Sequence, residues 1–134
     1  MAEKIRIKGR VEWPGIVEAE ALVSPIPIEG FCNADSDNGY STERYHPLFK
    51  KPYKGKVLVF PTPRGSGGFM KFGRGDQLPA AYIHTKGNTL SDACIMCARV
   101  PAMTDFETDP LSVIETGDIV LVNADEGYIE ITKK

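Results

Sequence analysis

Alternation of charged and apolar side chains predicts strands near both ends of the chain. Residues 4–11 alternate regularly, and residues 16–23 place two glutamates on one side and small apolar side chains on the other, as half-buried strands do. Residues 118–123 and 128–131 are two further strands, and the sequence ADEG at 124–127 between them favours a hairpin turn. Both ends of the chain therefore indicate β structure.

Apolar runs in the middle of the chain predict strands that are buried on both faces. The sequence KVLVF at 56–60 lies between Gly55 and Pro61 and is the clearest of them. The sequence PAAYIH at 79–84 is a second buried strand, and residues 98–103 are expected to be extended. These runs place the core of the protein in its central third.

Short helices are predicted between the strands. Residues 69–77 can open as a helix, although the glycines within them weaken it. Residues 89–97 predict a helix with Ser91 as its cap. Residues 109–117 predict a third one that ends at Gly117.

The composition is that of a turn-rich globular protein. Apolar residues make up 42% of the chain, which excludes a disordered protein. The chain has 13 Gly and 10 Pro among 134 residues, more than the average share of roughly 12%, and this argues against a helical bundle. We predict a single α/β domain over residues 1–134, with six to eight strands and two or three short helices.

Charge and the first residues limit the classes of function. The chain has 16 Lys and Arg against 18 Asp and Glu, a net charge of −2, which argues against nucleic-acid binding as the main function. The sequence MAEKIR at the start lacks the apolar region of a signal peptide, and no apolar run is long enough to span a membrane. We expect a cytoplasmic protein.

The cysteines allow a functional and a structural interpretation. Cys94 and Cys97 form a C-x-x-C motif, which is either a redox pair or half of a zinc site completed by Cys32, His46 or His84. The motif lies in an apolar stretch, and cysteine is often buried as a small hydrophobic residue. The structural interpretation is favoured.

A glycine-rich loop follows the clearest buried strand. Residues 61–68 read PTPRGSGG, and the backbone amides of such a loop can approach an anion closely. Arg64 can bind a carboxylate or phosphate through two parallel hydrogen bonds, and Ser66 has a hydroxyl that can exchange a proton with a substrate. The loop matches neither the P-loop nor the G-x-S-x-G pattern. From the residues alone, an anion-binding turn and a plain surface turn are equally good interpretations.

A long polar loop at 31–45 is the other candidate region. Its sequence around Asp35 resembles part of a calcium loop but lacks the glutamate that would complete it, so a solvated turn is favoured. His46 and His84 are lone histidines without a neighbouring nucleophile, and each is expected to be a surface or hydrogen-bonded residue.

Several motifs in order resemble the small subunit of the aconitase X family, the swivel domain. They are GKVLVFP at 55–61 followed by Arg64, Gly65 and Ser66, then LPAAYI at 78–83, RVPAM at 99–103 and TGDIVLVNADEGYI at 116–129. The resemblance extends from Arg10 to Ile131.

The resemblance implies a swivelling β/β/α fold and a heterodimer with a large catalytic subunit. Members are hydro-lyases that act on small hydroxy carboxylates or phosphorylated hydroxy acids, and their known activities are the dehydration of phosphomevalonate and of cis-3-hydroxy-L-proline. An iron or iron–sulfur centre is held by cysteines of the large subunit, so this chain is expected to bind no cofactor itself. Ser66 maps to the acid/base serine of the family, and the substrate-binding positions map to Arg64, Gly65, Gly67, Gly68 and Asp35.

Two loops depart from the family pattern. Pro63 replaces the first glycine of the serine loop, and GGFM at 67–70 replaces a stretch with a second serine. In the early loop, residues 32–39 keep Asp35 and Gly39 but not the paired glycines. The alternative function is therefore a non-catalytic small-molecule-binding or regulatory module that retains the swivel fold.

Overall fold

The computed structural model describes residues 4–28, 34–62, 68–73 and 75–134. Within these ranges the chain forms ten strands and one α-helix, with two short 3₁₀ helices at Met70–Gly73 and Pro110–Ser112. The elements in chain order are β1 (Lys4–Lys8), β2 (Arg10–Trp13), β3 (Ile16–Val23), β4 (Ala34–Asp35), β5 (Tyr40–Ser41), β6 (Val57–Phe60), β7 (Ala81–His84), α1 (Thr89–Ala98), β8 (Ala102–Thr104), β9 (Ile119–Asn123) and β10 (Tyr128–Thr132).

Eight of the strands form one sheet whose two edge strands are consecutive in sequence. Their order is β1-β10-β9-β3-β6-β7-β8-β2, and only Gly9 separates β1 from β2. The two edges therefore meet, and the sheet closes on itself as a barrel. A Cβ atom on Gly9 would lie 2.6 Å from the Phe106 ring, so the position where the chain changes partners has no room for a side chain.

The centre of the sheet is parallel. Strands β3, β6, β7 and β8 are neighbours in this order and run in the same direction, so their carboxyl ends lie at one edge. The remaining pairs, β1 with β10, β10 with β9, β9 with β3 and β2 with β8, are antiparallel.

Alternate residues of the buried strands enter two separate hydrophobic clusters. Val57 and Val59 of β6 belong to the cluster inside the barrel, whereas Leu58 and Phe60 pack in the cluster that includes Ile95 of α1. A strand covered on both faces needs apolar residues at every position, which explains the continuous apolar run at 57–60.

Helix α1 begins three residues earlier than a cap at Ser91 would place it. Asn88 is the cap: its side-chain oxygen accepts from the Ser91 amide at 2.8 Å. Its own amide donates to Ser91 Oγ at 2.9 Å, which completes a capping box. The prediction of Ser91 as the cap was wrong, because a serine at the third helical position makes the reciprocal bond.

The other differences from the predicted elements have local causes. The helices predicted at 69–77 and 109–117 are only the two 3₁₀ helices. Ten strands exceed the predicted six to eight, because Gly9 divides the first strand and because a hairpin of β4 and β5 lies within the predicted loop at 31–45. In the described residues, no helix is long and apolar enough to cross a membrane.

Candidate functional site

The loops singled out in the sequence leave the sheet at the carboxyl ends of its parallel strands. Strand β3 leads to 24–28, β6 leads to the glycine-rich loop and β7 leads to the first turn of α1. Ligands of α/β sheets bind outside this edge of the strands. We take this edge as the candidate site.

The two loops that depart from the family pattern are entered from neighbouring residues. The Ile28 amide donates to the Thr62 carbonyl at 3.3 Å. Residues 29–33 and 63–67 follow these two positions and lie outside the described residues. The predictions for Arg64, Gly65, Ser66, Gly67 and Cys32 therefore stay predictions.

Gly68 is the one predicted site residue of the glycine-rich loop that the structure describes. It is buried, and its φ of +55° lies in the left-handed region. A Cβ atom there would lie 2.9 Å from Cys94 Sγ and 3.2 Å from Leu90 Cγ, both on α1. The end of the loop is thus seated against the helix, and both its conformation and its packing require glycine.

Both flanks of the loop are held by backbone and aromatic contacts. The Thr85 amide donates to the Pro61 carbonyl at 2.9 Å, and the rings of Phe60 and Phe69 meet edge to face at 5.1 Å. The element after the loop is a single 3₁₀ turn, Met70–Gly73. The dipole expected from a longer helix is therefore small here.

A buried acid–base pair lies at the carboxyl end of β7, where His84 is the last residue of the strand. His84 Nε2 is 2.5 Å from Glu12 Oε1, and the two side chains are 0% and 1% exposed. Thr104 Oγ1 lies 3.3 Å from the other ring nitrogen, Nδ1. The prediction that His84 is a hydrogen-bonded residue is confirmed, but its partner is an ionisable group.

The carboxyl group of Glu12 has polar neighbours on α1 as well. Ser91 Oγ donates to Glu12 Oε2 at 3.3 Å. Burial raises the pKa of Glu12, although the hydrogen bond with His84 opposes this shift. The hydrogen bond with Glu12 lowers the pKa of Asp92. The pKa values of these two neighbouring carboxyl groups are therefore shifted in opposite directions.

Sequence reasoning missed Glu12 because the outer face of β2 is covered by another element. Glu12 points to the side opposite Val11, which packs in the cluster inside the barrel, as alternation predicts. On that outer side, however, it meets Ser91 of α1 and the buried His84 instead of water. The signal in the sequence is a single glutamate between Val11 and Trp13, which alternation alone assigns to a surface.

Asp35 forms the turn between β4 and β5. Its Oδ1 accepts from the amides of Asp37 and Asn38, both at 3.1 Å, and its Oδ2 accepts from the Asn38 side chain at 2.8 Å. Burial, followed by the charge of Asp35, raises the pKa of Tyr53 to about 12. These contacts agree with the favoured interpretation of a turn, and the role of Asp35 toward a substrate stays a prediction.

His46 has a structural role. The Leu48 amide donates to its Nδ1 at 3.0 Å, so the proton of a neutral ring is on Nε2, which lies 3.0 Å from the Pro27 carbonyl and donates to it. The ring therefore ties the loop after β5 to the segment after β3.

The C-x-x-C motif lies on α1 with its two thiols in different surroundings. Cys94 is buried and Cys97 is exposed, and burial raises the pKa of the Cys94 thiol. Cys94 thus fits the structural interpretation of a small buried hydrophobic residue, whereas Cys97 does not. Within the described ranges, no three His, Cys, Asp or Glu side chains are grouped as metal ligands would be.

Known proteins share this architecture over nearly the whole chain. The family model of the aconitase X swivel domain matches residues 6–131. The phosphomevalonate dehydratase small subunits of Methanosarcina mazei and Methanosarcina acetivorans are 36% and 34% identical to this chain. These alignments cover 97% and 96% of this chain, and 93% and 92% of those proteins. The crystal structure of Thermococcus kodakaraensis aconitase X in its holo-form has a TM-score of 0.84 at 27% identity, covering 96% of this chain and 99% of that one.

The closed barrel with a helix packed outside it is thus a swivel-type α/β domain. The chain belongs to the aconitase X swivel domain family. The resemblance inferred from the motifs at 55–66 and 116–129 is confirmed. The same comparisons support the predicted class, the small subunit of an aconitase-X-type dehydratase.

Proposed function

We propose that this chain is the small subunit of a two-subunit hydro-lyase that dehydrates a phosphorylated hydroxy acid, with phosphomevalonate as the substrate to test first. The observation that carries the proposal is the near full-length similarity to two phosphomevalonate dehydratase small subunits. The location of the two candidate loops at the carboxyl ends of parallel strands supports a site at this edge.

Ser66 is proposed as the acid/base. In the dehydration direction its oxygen takes the proton from the carbon next to the one that bears the hydroxyl. The electron pair of the C–H bond forms the double bond as the hydroxyl leaves. A serine oxygen basic enough for this step needs strong electrostatic support. Arg64 and the amides of Gly65, Gly67 and Gly68 are proposed to supply this support and to bind the carboxylate or phosphate of the substrate.

The partner is proposed to be a large subunit of the aconitase X type. It is also proposed to hold the iron or iron–sulfur centre through its own cysteines, which would supply a Lewis acid for the leaving hydroxyl. The described residues of this chain do not group metal ligands in threes, so we assign none of them to the centre.

The test uses the complex of both subunits produced together. Ser66→Ala is expected to lower kcat for phosphomevalonate by about 10³-fold, within the range for loss of a general acid–base group, while the two subunits still co-purify. The matched control is Ser112→Ala, because Ser112 is exposed and donates only to the nearby Asp109 carbonyl at 2.6 Å. Full activity of Ser66→Ala would contradict the proposed role.

The substrate class is tested in the same complex. We expect phosphomevalonate to be turned over much faster than mevalonate, because mevalonate lacks the phosphate, one of the two anionic groups proposed to pair with Arg64. Turnover of cis-3-hydroxy-L-proline instead would place the chain with the other known activity of the family.

The alternative, a non-catalytic binding or regulatory module, is favoured by Pro63 and by the sequence GGFM at 67–70. It predicts that the wild-type complex binds phosphomevalonate in calorimetry without turning it over.

A further inference from the structure

The buried pair of His84 and Glu12 is a costly feature that stability does not explain. The two side chains are 0% and 1% exposed, and taking both out of water carries a desolvation penalty that the attraction between them often fails to repay. Well-packed apolar residues at such positions are commonly as stable or more stable. A role other than stability is therefore indicated for the pair.

The pair lies directly against both flanks of the glycine-rich loop. The Phe60 ring, at the end of β6, stacks on the His84 ring with centroids 5.4 Å apart and planes 8° apart. The Phe69 ring, just after the loop, is 6.1 Å from the same imidazole. The residue after His84, Thr85, donates its amide to the Pro61 carbonyl at 2.9 Å. One histidine thus contacts both the entry and the exit of the loop.

The exit of the loop is coupled to the pair by a second route, through α1. Gly68 packs against Cys94 and Leu90 of the helix, and Ser91 of the same helix donates to Glu12 Oε2 at 3.3 Å. Glu12 and the end of the loop therefore contact neighbouring residues of the same helix.

Several ionisable groups surround the hydrogen bond between His84 Nε2 and Glu12 Oε1. Burial raises the pKa of Glu12, and hydrogen bonding lowers the pKa of its neighbour Asp92. Among the described residues, Arg10 on β2, Cys94 on α1 and Asp105 after β8 also interact with the pair.

We propose that the His84–Glu12 pair, through the hydrogen bond that joins its side chains, is the positioning element for the two ends of the loop that carries Ser66. The inference rests on the acid/base role proposed for Ser66. His84 and Glu12 act through Phe60, Phe69 and α1 and are positioning residues.

The experiment measures kcat, KM and the pH profile of kcat in the complex of both subunits. Glu12→Gln keeps the shape of the side chain, but it replaces one acceptor oxygen by an NH2 donor and cannot ionise. We expect kcat to fall about 10- to 100-fold, the cost of a small misplacement of a catalytic group. We also expect KM to stay within about twofold and one limb of the pH profile to move. Hydrogen exchange of the 61–69 amides in the complex is expected to rise.

Asp118→Asn is the matched control, because Asp118 is another buried carboxylate, bonded to Lys133 and to the amides of Glu115 and Lys134. A purely structural role predicts that both variants lower the Tm and leave the pH profile of kcat at its wild-type position. That result for Glu12→Gln would overturn the proposal.

A second variant covers the case in which Glu12→Gln does not assemble. Thr104→Val removes the hydroxyl next to His84 Nδ1 and leaves both members of the pair. A shifted pH profile of kcat supports the proposal, and an unchanged one overturns it.

Ser66→Ala, measured in parallel, separates the two proposals. If it is inactive while Glu12→Gln behaves as wild type, only the positioning role is wrong. If it retains full activity, the acid/base role is wrong and the positioning role falls with it.

Discussion

Asp118 and Glu12 both bury a carboxyl group, but their surroundings differ in kind. Asp118 accepts from the amides of Glu115 and Lys134 at 2.8 and 3.1 Å and from the Lys133 ammonium group. Burial opposes the charge of Asp118, yet these donors lower its pKa below the ordinary value.

Glu12 has fewer hydrogen-bond donors around its carboxyl group than Asp118, and another carboxyl group lies beside it. It accepts from Ser91 Oγ, is hydrogen-bonded to His84 and faces a second carboxyl group, that of Asp92. Burial therefore prevails and raises the pKa of Glu12. Burial alone therefore does not set the charge of a carboxyl group, because the number of hydrogen-bond donors around it decides whether it stays ionised.

The largest expected effect comes from removing the well-bonded carboxylate. Asp118→Ala leaves the Glu115 and Lys134 amides and the Lys133 ammonium group without their acceptor. We expect the free energy of unfolding to fall by about 3 kcal/mol, near the lower end for a broken buried pair, since Lys133 is 27% exposed and can be hydrated. Urea unfolding at neutral pH measures the loss. A loss below about 1 kcal/mol would mean that the donors around Asp118 do not stabilise its charge more than those around Glu12.

The pH dependence of stability gives an effect of intermediate size, with opposite signs at the two sites. Folding lowers the pKa of Asp118. Its contribution to the free energy of unfolding is therefore fully present above about pH 4, the ordinary pKa of an aspartate. This contribution is lost as the pH falls through the lowered pKa. Folding raises the pKa of Glu12. Its contribution to the free energy of unfolding is therefore fully present below about pH 4.3, the ordinary pKa of a glutamate, and is lost as the pH rises through the raised pKa.

Urea unfolding across this pH range tests both signs. Asp118→Asn is expected to remove part of the loss of stability in acid, and Glu12→Gln is expected to remove part of the loss above pH 4.3. Identical pH curves for wild type and both variants would show that neither carboxyl group titrates as described.

The smallest effect is expected at the surface beside the Glu12 site. Arg10 pairs with Asp105 at 2.8 Å, but the two side chains are 46% and 39% exposed. Because solvent screens such a pair, Arg10→Ala is expected to cost about 0.5 kcal/mol at low salt and less at 1 M salt. Urea unfolding at the two salt concentrations checks this. A cost that is large and independent of salt would mean that Arg10 is coupled to the buried pair.

Several strands could be predicted because the pattern that indicates each of them lies within a few consecutive residues. The buried strand β6 was predicted from its four apolar residues, and the hairpin of β9 and β10 from the turn between them. Gly127 in that turn has a φ of +89°, which glycine adopts without strain.

The closure of the sheet and the site beneath it could not be predicted in the same way. Residues 4–11 show one alternating pattern, and only the pairing of β1 with β10 and of β2 with β8 reveals that Gly9 joins the two edges. His84 was recognised only as a lone histidine, because its partner Glu12 is 72 positions away along the chain.

The amino-acid sequence was sufficient to predict the family, the main strands along the chain and the location of the glycine-rich loop after a buried strand. Local propensity and motif order carry this information, since each depends on residues close together in the chain. The tertiary structure alone decided that the loops after β3, β6 and β7 share one edge, and that Glu12 meets His84 beneath it. Both depend on strand pairing and on the packing of α1 against the outer face of the sheet, which bring distant residues into contact and exclude the water that would otherwise separate their charges.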